Sequence, residues 1–183
     1  MSSNRSKKII IIGASSGIGR EIACIYAAHG HKVVITGRRN ELLDEIKLKY
    51  TNEVVSAPFD VTGKQNRYEI ESIIDQLGGL DLLIYNAGFG DASSGLQWEV
   101  EDLTTRTNVN AFVEITGIAF NYFIKQGYGQ IAVTSSVAAL RGNSWSPAYS
   151  ASKAFISNYA EGLQMKAARL KKRKRLLISG PAL

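Results

Sequence analysis

Apolar and polar positions fall into two alternating kinds of block along this chain. Residues 8–12, 32–36, 53–59, 80–85 and 129–135 are short runs in which apolar side chains dominate, rich in Ile, Val and Leu. Between them, residues 17–29, 41–50 and 64–77 space their apolar positions three and four apart, as Ile70, Ile73, Ile74 and Leu77 do. The first pattern predicts buried strands and the second predicts helices. Asn40 stands where a cap of the second helix belongs, and Gly78-Gly79 ends the third. Residues 98–126 hold one or two helices with a break near Thr104, and a long helix runs from Tyr149 to about residue 172. Strands apolar on both faces, each followed by a helix, imply a parallel sheet covered on both sides. Right-handed crossovers make that an α/β fold of the Rossmann type, a doubly wound sheet in three α/β/α layers. No repeat, linker or composition break divides the 183 residues, so a single domain over 1–183 is expected.

Composition adds exclusions. At 45% hydrophobic and 21% charged the chain is globular in character, and no apolar run approaches the roughly 20 residues of a membrane span. The basic start at residues 1–8 is followed by only four apolar residues, too few for a secretory signal core. A soluble, cytoplasmic protein is expected. Cys24 is the single cysteine, so no intrachain disulfide forms, and His29 and His31 lack metal-ligand spacing; no metal is expected. The net charge of +6 is local: seven cations lie within residues 166–175, and the rest of the chain is near neutral. A solvated helix end accounts for that run, with a nucleic-acid surface as the alternative it displaces.

Candidate chemistry begins where the first strand ends. Gly13-Ala14-Ser15-Ser16-Gly17-Ile18-Gly19 joins that strand to a helix. Glycines let the backbone approach a pyrophosphate, and the helix start offers free N–H groups and a favourable dipole. The second strand closes on Thr36-Gly37-Arg38-Arg39 with no acid. An acid there would bind the ribose of NAD, whereas arginine accommodates the extra phosphate of NADP. Arg38 is therefore the expected phosphate clamp, with Arg39 or Ser15 assisting. Tyr149 and Lys153, four apart on a helix, share a face, and a nearby ammonium stabilises a phenolate. A surface pair has the same spacing.

The glycine spacing, together with these residues, resembles the short-chain dehydrogenase/reductase family over residues 8–172. The resemblance implies that Asp60 and Val61 contact adenine and that Asn86-Ala87-Gly88 lies beside the cofactor. Ser136, thirteen residues before Tyr149, matches the family's catalytic serine, and Asn108 its fourth catalytic residue, with Asn110 as the competitor. Tyr149 and Lys153 match its acid/base and its ribose-holding lysine, so both also belong to the expected cofactor set. The implied activity is hydride transfer between NADP(H) and a small carbonyl or alcohol substrate, in a homodimer or homotetramer. Family members continue beyond this length, so the last strands are expected to be shortened or missing and the edge of the fifth strand uncovered. One codon choice for residues 176–183 reads in a shifted frame as Val-Thr-Asp-Ile-Arg-Pro-Gly-Phe, a strand and turn of the family's kind. A frameshift in the gene or its recorded sequence is therefore expected, which sequencing across those codons decides. The alternative function is a catalytically impaired NADP-binding or subunit-interaction protein.

Overall fold

The structure is a computed structural model that describes residues 5–92, 95–170 and 175–179. Five strands fall where the apolar runs predict them: β1 (Lys8–Ile12), β2 (Lys32–Thr36), β3 (Val54–Ser56), β4 (Leu82–Tyr85) and β5 (Tyr128–Val133). Between them lie α1 (Gly17–Ala28), α2 (Asn40–Lys49), α3 (Asn66–Leu77), α4 (Trp98–Thr105) and α5 (Ala111–Gln126), and α6 (Pro147–Leu170) follows β5. A sixth strand, β6 (Arg175–Ser179), pairs in parallel with β5 from Tyr128↔Arg175 to Ala132↔Ser179. The sheet order is β3-β2-β1-β4-β5-β6, parallel throughout the recorded pairings, with the chain turning back at β1 and β4. The doubly wound Rossmann-type fold is thus present. The expected bare edge on β5 is corrected, because β6 supplies the partners for its ladder. The basic residues 171–174 and the chain end at 180–183 lie outside the described residues.

The strands read as apolar throughout because each feeds two cores. Ile10 and Ile12 of β1 join Leu83 and Tyr85 of β4 beneath α3, α5 and α6. Ile9 and Ile11, pointing the other way, join Leu82 and Ile84 beneath α1 and α2. All four of these β1 isoleucines are fully buried. The alternation of side chains along a strand makes the two-sided burial unavoidable.

Several boundaries differ from the pattern reading. Asn40 is the first residue of α2 rather than its cap: its Nδ2 donates to Asp44 Oδ2 at 3.0 Å, and Arg39 occupies the cap position with extended backbone. β3 stops at Ser56, ahead of Pro58, which has no N–H to give a ladder. α6 starts two residues before Tyr149 at Pro147, since proline fits a first helical position. The break expected near Thr104 is a π-helical turn at Arg106–Asn110, which joins α4 to α5 without interrupting the helical path.

The first turn is the most constrained. Gly13 has φ +85°, and a Cβ there would lie 2.6 Å from the backbone N and Cα of Ala87. Both the left-handed backbone and the overlap oppose any side chain. Gly13→Ala is expected to lower unfolding free energy by about 2–4 kcal/mol, read by urea denaturation.

Candidate active site

Four strand ends meet at one edge of the sheet and frame a cleft of about 210 Å³. The turn after β1 forms one wall. Ser16 precedes α1 in extended conformation with no side-chain cap, so the helix start is not closed by its own serine. Gly19 packs into Gly13 O and the amide of Asn86, leaving no room for a Cβ. Arg39 folds back from the end of β2, donating from Nη2 to Ser15 Oγ at 2.9 Å and to Ser16 Oγ at 2.6 Å. Arg38 lines the same cleft and is exposed. The two arginines and the uncapped helix start give this end of the cleft positive potential.

Of the residues expected around a cofactor, Gly13, Ser15, Ser16, Arg38, Asp60, Val61, Asn86, Ala87 and Gly88 line the cleft. Gly17, Ile18, Gly19, Tyr149 and Lys153 do not. Gly17 has φ +56°, so its contribution is the backbone turn, and Ile18 is 61% exposed on the outer side of that turn. Asp60 Oδ1 accepts from the backbone N and the hydroxyl of Thr62, both at 2.9 Å, which fixes the loop after β3. Gly37, Phe59, Phe89 and Thr107 also line the cleft and were not singled out from the sequence. Gly37, Phe59 and Thr107 directly precede residues that were, and Phe89 directly follows one, so reading one residue to either side would have found them.

The second group stands where α6 begins. The π-helical turn sets Asn108 inward, fully buried, and leaves Asn110 exposed, which separates the two candidates. Asn108 Nδ2 donates to Phe89 O at 2.7 Å and to Ser152 Oγ at 2.9 Å, while its Oδ1 accepts from Phe89 N at 2.8 Å. One side chain thus joins the loop after β4 to α6. Lys153 is 4% exposed, and its Nζ donates to Thr134 O at 3.1 Å. Burial pushes its pKa below the ordinary lysine value, because the charged form is desolvated. The ammonium lies 5.6 Å from the centre of the Tyr149 ring, and a Cβ on Gly88 would be 3.4 Å from it. Lys153 therefore borders both Tyr149 and the glycine that lines the cleft.

Ser136 has extended backbone and caps a short 3₁₀ turn at Val137–Leu140, its Oγ accepting from Ala138 N at 3.2 Å. That bond uses an acceptor site and leaves the hydroxyl proton to donate. Neighbouring Ser135 bonds Lys153 O and Ser157 Oγ instead, tying the end of β5 to α6. The two adjacent serines are thus distinguished by their partners. The histidines have local partners: His31 Nδ1 accepts from Lys7 N, and His29 Nδ1 lies 2.7 Å from Ile25 O. Among the described residues no helix is long and apolar enough to cross a membrane.

Comparison with known proteins agrees with this geometry. The short chain dehydrogenase family model matches residues 7–173. An uncharacterized oxidoreductase of Listeria monocytogenes is 34% identical over 170 residues, 90% of this chain and 68% of that one. An uncharacterized oxidoreductase of Mycobacterium tuberculosis is 32% identical over 168 residues, 86% of this chain and 66% of that one. The crystal structure of a short-chain dehydrogenase from Streptomyces avermitilis superposes with a TM-score of 0.88 at 25% identity, covering 97% of this chain and 65% of that one. The chain thus spans about two thirds of the length of these relatives. With the family match running over nearly its whole length, the chain belongs to the short-chain dehydrogenase family.

Proposed function

We propose that the protein is an NADP(H)-dependent oxidoreductase acting on a carbonyl or alcohol substrate. The observation that carries this reading is Lys153, buried between Tyr149 and the Gly88 wall of a cleft whose other end holds two arginines. The residues lining that cleft suit a nicotinamide dinucleotide. The Gly13 turn brings bare backbone to its wall, and the helix start and two arginines suit phosphate groups. The cofactor, when bound, supplies or takes up the hydride.

The protein's own residues handle the proton and the orientation. Tyr149 donates a proton to the substrate oxygen during reduction and removes it during oxidation. Ser136 donates a hydrogen bond to the same oxygen. Lys153 binds the nicotinamide ribose and holds its ammonium 5.6 Å from the centre of the Tyr149 ring. Asn108 orders the proton path by fixing the loop at Phe89 against α6. Asp60 and Val61 are assigned to adenine, and Asn86, Ala87 and Gly88 to the central part of the cofactor. A homodimer or homotetramer in the cytoplasm is part of the same proposal.

The preference for NADP(H) rests on Arg38 and Arg39 at a strand end without an acid. Titration of the chain with NADPH and NADH, followed by fluorescence, tests it. NADPH is expected to bind more tightly, and Arg38→Asp or Arg39→Asp to weaken NADPH by about tenfold to a hundredfold, the value of a charge-assisted bond. Equal affinity for both nucleotides would end the NADP assignment. Tight NADPH binding without turnover on a panel of ketones and aldehydes would instead support the catalytically impaired alternative.

A further inference from the structure

We propose that Gly90 and Glu101 are positioning residues for Tyr149: Gly90 leaves room for its ring, and Glu101 anchors the helical turn that carries it. The kinetic consequence rests on the oxidoreductase reading; the placement of the ring does not.

Tyr149 is the third residue of α6. The first turn of a helix has no intrahelical partners for its N–H groups, and Pro147 has none to offer. The first exposed donor is therefore the N–H of Ala148, immediately before Tyr149. It donates to Glu101 Oε2 at 3.2 Å, across the packing of α4 on α6. A carboxylate at this end also complements the helix dipole. The second oxygen, Glu101 Oε1, is buried and has no hydrogen-bond partner. A carboxylate held partly desolvated is costly, so a local benefit has to offset it. The anchored turn is the benefit the geometry offers. On the other side of Tyr149, Ser152 Oγ donates to its carbonyl oxygen at 2.7 Å and accepts from Asn108 Nδ2. The backbone around Tyr149 is thus gripped before and behind.

The ring is placed by Gly90. A Cβ there would overlap the Tyr149 ring, lying 2.7 Å from Cγ and 3.0 Å from Cε2. Cγ is one bond from the Tyr149 Cβ, so it cannot swing aside as the tip of a long side chain would. Relief needs rotation of the whole ring or displacement of the loop. Gly90 does not have positive φ, so its backbone does not require glycine. What glycine contributes at this exposed position is space against the ring.

Nuclear magnetic resonance of the full chain with ¹³C-labelled tyrosine tests this, with the Tyr149 signal assigned by its loss in Tyr149→Phe. In Gly90→Ala the Tyr149 signal is expected to shift while the signals of the other seven tyrosines hold. Turnover then falls by about a hundredfold, as for a reacting group displaced by an ångström, with NADPH affinity unchanged. Glu101→Leu is expected to shift the same signal. Glu101→Gln, which keeps an acceptor for the Ala148 N–H, restores it. A Tyr149 signal unmoved in Gly90→Ala, or Glu101→Gln behaving as Glu101→Leu, would overturn the proposal. The signal is read without turnover, so a wild-type chain that reduces no substrate would sink the oxidoreductase reading and leave the positioning test intact.

Discussion

Tyr149→Phe is expected to lower turnover by about 10²- to 10⁴-fold while leaving NADPH affinity and folding stability at wild-type values. The magnitude is that of a lost general acid, and the selectivity comes from the packing. Phenylalanine keeps the ring that lies against Gly90 and stays 5.6 Å from the Lys153 ammonium. Only the hydroxyl is removed. Steady-state kinetics together with a fluorescence titration check the result. A loss of less than tenfold would mean that some other group moves the proton. An equal loss in NADPH affinity would mean that the hydroxyl serves binding rather than chemistry.

The second large effect is on folding. Asn108→Leu is expected to cost roughly 3–5 kcal/mol of stability, from unpaired partners at about 1–3 kcal/mol each. The Phe89 N–H, the Phe89 carbonyl and one contact of Ser152 all lose their partner inside the protein. That is a large share of the roughly 5–15 kcal/mol that holds a domain folded. Asn110→Ala is the contrast, since Asn110 is exposed, and it should change stability by no more than about 0.5 kcal/mol. Urea denaturation of the two variants measures both. If they unfold at the same denaturant concentration, the Asn108 network does not carry the stability assigned to it. The comparison also bears on chemistry: the side chain assigned to the proton path is one the fold cannot easily release.

The sheet was legible because its strands are apolar on both faces. β1 and β2 fall on the predicted residues, for both are runs closed by glycine or by a glycine-bearing turn. The expected cofactor residues that line the cleft are legible for a related reason. They sit at strand ends, and strand ends are what the pattern locates. What escaped depends on direction or on distance along the chain. Arg38 and Arg39 are adjacent, and nothing in composition says which one folds onto Ser15 and Ser16. Asn108 was found by resemblance, but its partners Phe89 and Ser152 are 19 and 44 residues away, beyond any local pattern. The Asn40 cap failed because an asparagine can bond forward to Asp44 from inside the helix as well as cap from outside. The resemblance alone speaks against β6, although residues 176–178 are as apolar as any other strand here.

Asn86 carries a further consequence. Its Nδ2 donates to Gly13 O at 2.8 Å, and its Oδ1 accepts from Thr134 Oγ1 at 3.0 Å. A single amide thereby laces together the ends of β1, β4 and β5. The floor of the cleft loses its conformational entropy when the chain folds, not when a ligand arrives. A nucleotide entering such a site meets a preorganised surface, and more of its contact energy remains as affinity.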